Sequence, residues 1–125
     1  MADEVIFDDA VPVIRVHDLD AAIDRYGRLG FSVRRYQGDA RYAFADRGGA
    51  SLHLSELADH DPPLPSVVYL YVSDADALFT EWSERGIEGH FHEPFDTDYG
   101  LREFVFVDSD GTRHRVGSRL SRDSA

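Results

Sequence analysis

Apolar and polar positions along the chain follow two different periods, and the same succession of periods occurs twice. Period-two alternation and short apolar runs bounded by turn residues predict strands at 11–16, 31–37, 40–46, 50–55, 66–72, 87–93, 102–107 and 112–117. Apolar residues at helical spacing, Leu19, Ile23 and Tyr26 and then Leu78, Phe79 and Trp82, predict helices over 19–29 and 75–85. Asp18 and Asp74 precede these helices as N-caps, Asp20 and Asp76 add acid to the first turns, and Gly30 and Gly86 follow the ends. A helix of this kind lays its apolar stripe on a sheet, so Tyr26 and Trp82 are core candidates.

The repetition is visible residue by residue. An offset of 56 pairs Val16 with Val72, Asp18 with Asp74, Ala21 with Ala77, Tyr26 with Trp82 and Gly30 with Gly86. Beyond the helices the offset becomes 62, which pairs the turn at Ala45 to Gly49 with that at Val107 to Gly111. The second copy therefore carries about six extra residues, placed in a loop at 94–100 where Pro, Asp, Thr and Gly cluster. Residues 59–65, with three prolines, read as the linker, and the tail from Ser118 reads as loose. The expected fold is α+β: two tandem β-α-β-β-β modules forming a curled mixed sheet with the helices on its outer face. One domain spans residues 1–125, with repeats at about 8–58 and 64–120.

Alternation also separates the side chains that pack on the helices from those that face away. Leu52 and Leu54 face inward, which leaves Ser51, His53 and Ser55 on the open face. Val68, Leu70 and Val72 face inward and leave Val67, Tyr69 and Tyr71 open; Val11, Val13 and Arg15 are the open set of the first strand. A sheet face of tyrosines, serines, a histidine and arginines points to a ligand cleft or a partner interface.

Composition narrows the function. At 125 residues and 14.1 kDa, with 42% apolar and 12% aromatic residues, the chain can bury one core. Thirteen basic residues, all Arg, against 24 acids give a net charge of −11, with no basic footprint for nucleic acid. The absence of Cys excludes disulfides and thiolate chemistry, and no apolar run approaches the ~18 residues that span a bilayer. With the acidic Met1-Ala2-Asp3-Glu4 start, the expected compartment is the cytoplasm.

The six histidines invite a metal reading, yet only His90 and His92 pair on one strand, and two ligands are not a site. Glu103 and Asp108 are the nearest approach to a carboxylate pair and read as solvated charges. No Ser-His-Asp order, nucleophile elbow, phosphate loop or nicotinamide fingerprint occurs.

Two such modules in tandem, with Ala10 to Asp20, Tyr26 to Phe31, Leu52-His53-Leu54-Ser55, Glu81-Trp82 and Tyr99-Gly100-Leu101-Arg102-Glu103-Phe104, resemble the bleomycin resistance proteins. These belong to the glyoxalase, extradiol dioxygenase and fosfomycin-resistance superfamily, the vicinal oxygen chelate proteins. The resemblance runs from about Val11 to Leu120. It implies that the positions where superfamily enzymes hold a divalent metal are occupied here by Val11, His53, Val67 and Arg115, of which only His53 is a donor. It further implies a non-catalytic homodimer without cofactor, sequestering bleomycin-type glycopeptides in grooves at the subunit interface, its N-terminal strand exchanged around Pro12. A proline that merely begins an edge strand is the alternative reading of Pro12.

Tyr99 falls where the family stacks an aromatic, often Trp, on its ligand, and Tyr36 is the expected opposite wall. The expected ligand-binding set is thus Tyr36, His53, Tyr69, Tyr71, Tyr99, Arg102 and Arg115, with no catalytic or metal-binding residue. Arg15, Arg113 and Arg115 on the open face would favour an anionic group despite the net charge. The alternative function is a metal-dependent small-molecule enzyme of the superfamily that uses His53 and an unorthodox ligand such as Glu103.

Overall fold

The computed structural model describes residues 5–58 and 65–120. The first module comprises β1 (Val13–Val16), α1 (Leu19–Arg28), β2 (Ser32–Arg35), β3 (Tyr42–Arg47) and β4 (Ala50–Glu56). The second comprises β5 (Val67–Tyr71), α2 (Ala75–Ser83), β6 (Gly89–Asp96), β7 (Leu101–Asp108) and β8 (Arg113–Arg119). Each module folds its strands into a four-stranded sheet, ordered β1-β4-β3-β2 and β5-β8-β7-β6, whose first strand runs parallel to its last. The α+β architecture of two tandem β-α-β-β-β modules is thus the one the patterning predicts. The repeat holds in the register as well: Val13 pairs with His53 and Tyr69 with Arg115, and 69 − 13 = 56 while 115 − 53 = 62.

Local chemistry explains both helices. Asp18 and Asp74 sit in extended conformation, and their carboxylates accept hydrogen bonds from the amides of Ala21 (3.2 Å) and Ala77 (3.0 Å). Gly30, at φ +90°, takes the chain out of α1 in a conformation that a side chain would strain. Among the described residues no helix is long and apolar enough to cross a membrane.

The two modules share one core. Tyr26 and Trp82 are fully buried between the sheets, and Trp82 lies edge-on to Phe104, Phe106 and His114. Its indole N–H donates to the Leu29 carbonyl at 3.0 Å, which fastens α2 to the end of α1. Arg47 reaches across the same seam, donating to that carbonyl at 2.7 Å and to both Glu81 oxygens at 2.9 and 3.1 Å. These pairs hold the helices on one side, so the remaining sheet faces are turned away from the core.

Four expectations change. The second module's extra residues lengthen the β6–β7 hairpin rather than forming a loop over 94–100: β6 continues to Asp96 through a bulge between His92 and Phe95. Pro94 lacks a ladder donor, and an irregularity in an edge strand is where that absence costs least. Ser118 is not a loose tail but a buried member of β8 whose hydroxyl accepts from the Ala75 amide at 2.9 Å. β1 begins at Val13 rather than residue 11, although the Pro12 carbonyl still accepts from the His53 amide at 3.0 Å. Glu103 and Asp108 are buried, not solvated. Linker residues 59–64 and tail residues 121–125 lie outside the described part.

Candidate functional site

Strand register defines the open face of the second sheet row by row. One row reads Phe95, Glu103, Gly117 and Tyr71, the next His92, Val105, Arg115 and Tyr69, and the third His90, Val107, Arg113 and Val67. Where the first two rows meet, three side chains converge on Glu103. Tyr69 and Tyr99 donate to its Oε2 at 2.7 and 2.5 Å, and Arg115 Nη2 approaches Oε1 at 3.4 Å.

Burial alone would push the Glu103 carboxyl upward, but the bonds from Tyr99, Tyr69 and Arg115 outweigh it and hold the pKa below the ordinary glutamate value. The same burial, with the bond to Glu103, raises the Tyr69 phenol. Arg115 lies over the Tyr69 ring at 5.0 Å, and Tyr69 and Tyr71 are 4.6 Å apart between centroids. Gly117 makes room for this arrangement, since a Cβ there would strike the Tyr69 hydroxyl.

The consequence is a rigid aromatic wall with an anionic pin behind it. Tyr71 and Tyr99 remain exposed and border a cleft of about 850 Å³ floored by Gly100, Leu101, Gly117 and Leu120. A second cleft of about 860 Å³ follows β5 toward the Gly48-Gly49 turn and α2, and again includes Tyr69 and Tyr71. Two solvent-facing tyrosines, a third held flat and a half-exposed guanidinium can stack on a planar ligand and hydrogen-bond its rim.

The structure brings together four of the seven expected ligand-binding residues: Tyr69, Tyr71, Tyr99 and Arg115. Arg102 is elsewhere, because alternation along β7 turns it to the helix side, where it binds Asp76 at 3.1 Å and Asp96 at 3.0 Å. His53 sits on the open face of the first module, its Nδ1 2.8 Å from the Tyr42 hydroxyl and its ring edge-on to Phe44. Tyr36 lies past the end of β2, half exposed, with its ring against Gly38 at the far tip of the first module.

Of the superfamily's metal positions, Val67 is exposed on β5, Arg115 belongs to the Glu103 cluster and Val11 precedes β1. Two alkyl groups and a cation cannot supply a donor set, so these positions do not fit a divalent metal. Among the described residues no three His, Asp or Glu side chains converge to hold one.

Sequence reasoning missed the Glu103 pin, and a second polar network on the opposite face. Arg25 pairs with Asp108 at 3.2 Å and Asp110 at 2.6 Å, and His17 meets Asp110 at 2.5 Å. Next to them the buried His114 places Nδ1 at 3.1 Å from the Phe106 carbonyl and Nε2 at 2.7 Å from the Tyr26 hydroxyl. This network ties α1 to the β7–β8 turn, and so joins the modules.

Two four-stranded sheets with paired helices, repeated in tandem around an open tyrosine-bearing face, define a protein of the vicinal oxygen chelate architecture. A family profile bears this out: residues 8–116 match the Glyoxalase/Bleomycin resistance protein/Dioxygenase superfamily, and the chain belongs to it. Solved structures share the fold. A bleomycin resistance determinant encoded on the transposon Tn5 superimposes with a TM-score of 0.78 at 23% identity, covering 92% of this chain and 100% of its own. A bleomycin-binding protein complexed with bleomycin gives 0.77 at 23% identity, covering 91% and 100%. The bleomycin-binding protein of bleomycin-producing Streptomyces verticillus, complexed with copper(II)-bleomycin, gives 0.70 at 27% identity, covering 94% and 100%. No curated protein sequence matches the chain.

Proposed function

We propose that this chain is a homodimeric, non-catalytic binding protein of the cytoplasm that sequesters a bleomycin-type glycopeptide, or another planar aromatic antibiotic, in clefts at the subunit interface. The observation that carries this reading is the tyrosine wall of Tyr69, Tyr71 and Tyr99 around Glu103, in a chain whose superfamily metal positions hold Val11, Val67 and Arg115. Offset stacking on such a wall adds about 0.5 to 1.5 kcal/mol per ring pair beyond area burial. The net charge of −11 draws in a drug with a cationic tail. Structural neighbours that bind bleomycin support the same ligand class.

Dimer formation gains support from the N-terminal segment. Val5, Ile6 and Phe7 are 80 to 92% exposed, an apolar arm left uncovered by the described residues. β1 pairs with its own β4 from Val13 onward, so the exchange we propose around Pro12 involves the segment ahead of it. The test is a DNA-nicking assay with increasing protein at fixed bleomycin. Protection complete at one subunit per drug, with the drug recovered unchanged after denaturing the protein, is the expected result. Undiminished nicking at excess protein contradicts sequestration, and recovery of altered drug contradicts the non-catalytic reading. Sedimentation velocity checks the dimer.

A further inference from the structure

The open face of the second sheet carries more than aromatic rings. In its third row Arg113 stands opposite Val107, with His90 beyond, and in the second row Arg115 stands opposite Val105, with His92 beyond. These two rows contain no carboxylate, in a chain with 24 acids. The nearest one on this face is Glu103, which is 2% exposed and already engaged by Tyr69, Tyr99 and Arg115.

Arg115 engages Glu103 and Tyr99 through Nη2, so its Nη1 and Nε have no hydrogen bond among the described residues. Arg113 is exposed, and among the described residues no side chain pairs with it. It precedes Arg115 by two residues, so both side chains project from the same face of β8, in the rows of Val67 and Tyr69. Five other arginines are paired: Arg25 with Asp108, Arg28 with Asp24, Arg35 with Asp20, Arg41 with Glu56 and Arg47 with Glu81.

We infer that this face recognises a planar aromatic carboxylate, its ring on Tyr69 and Tyr71 and its anion at Arg113 and Arg115. The inference rests on the tyrosine wall being a ligand site, and of the two ligand classes proposed it favours another planar aromatic molecule, one that carries an anion, over a glycopeptide with a cationic tail. Guanidinium groups are suited to the task, because their planar donors match the two oxygens of a carboxylate. The same cations count against a divalent metal at His90 and His92: those rings are 4.7 Å apart, but no acid stands in their rows to complete or neutralise a site.

The test compares 2-naphthoate with its neutral isostere 2-naphthamide by calorimetric titration of the full-length protein, in wild type and Arg113→Gln. A charge-assisted bond predicts that naphthoate binds about tenfold more tightly than naphthamide. Arg113→Gln is expected to shrink that ratio by weakening naphthoate more than naphthamide. In wild type, raising salt from 20 mM to 500 mM is expected to shrink the ratio without reference to any variant. Equal binding of the two probes overturns the carboxylate assignment and leaves the aromatic cleft standing. Binding of neither probe overturns the aromatic cleft, and the assignment with it.

Discussion

Trp82 joins the two helices, and its truncation gives the sharpest test of how the modules are held. In Trp82→Ala the lost contacts are those with Phe104 at 5.7 Å, Phe106 at 6.1 Å and His114 at 6.4 Å between centroids, together with the bond to Leu29. Truncating a fully buried tryptophan costs about 3 to 5 kcal/mol. The Leu29 carbonyl is not left bare, since Arg47 Nη1 still donates to it at 2.7 Å, so no further penalty for an orphaned acceptor is added.

With an unfolding entropy of about 2.1 cal/mol/K per residue, 125 residues give about 0.26 kcal/mol/K, and the expected fall in Tm is about 11 to 19 °C. Trp82→Phe keeps a ring and loses the N–H, for a fall of about 4 to 6 °C. Because Trp82 is the only tryptophan, unfolding is followed by circular dichroism, at one protein concentration so that dimer dissociation is held constant. A fall below about 5 °C for Trp82→Ala would refute the claim that this indole anchors the shared core.

Burial lowers the pKa of His114 from 6.5, with Asp108 opposing, so the folded protein keeps a neutral ring that the unfolded chain protonates first. Stability therefore falls as pH drops below about 6.5, by at most about 1.4 kcal/mol per pH unit, and Tm measured at pH 7.5 and 5.5 is expected to show a fall that His114→Gln removes. Gly117→Ala is expected to destabilise by about 1 to 3 kcal/mol, because the new methyl meets the Tyr69 hydroxyl, and Tyr69→Phe in the same chain should recover part of that loss in urea melts. Tyr99→Ala is expected to weaken bleomycin binding about tenfold or more and also to lower Tm, because the buried Glu103 loses one of its donors, whereas Arg102→Ala, facing α2, leaves affinity unchanged. Titration calorimetry separates those two.

Much of this was legible because local signals agreed with each other. Asp18 and Asp74 as caps, Gly30 and Gly86 past the helices and the paired offsets of 56 and 62 all recur in the structure as caps, a left-handed exit and matched strand register. Alternation also placed Tyr69, Tyr71 and Arg115 on one face. What sequence could not supply is burial created by other segments. Glu103 alternates with Phe104 and belongs to the open face, but Tyr69 from β5, Tyr99 from the hairpin tip and Arg115 from β8 are what cover it.

The motif around Arg102 suggests a place in the ligand site, yet its parity along β7 sends it to Asp76 and Asp96. Parity could have found His114 too, since it shares the inward side with Val116. The bulge that admits Pro94 has no such local signature, because an extra residue in a hairpin can be a loop or an irregular strand until its partner strand is placed.

Calorimetric titration of metal-free and copper-loaded bleomycin into the purified protein tests the central claim most directly. Sub-micromolar binding at one drug per subunit is predicted, weakened about tenfold or more by Tyr99→Ala. Absence of heat at ~100 μM protein, where even a micromolar complex would form, would contradict antibiotic sequestration by this chain.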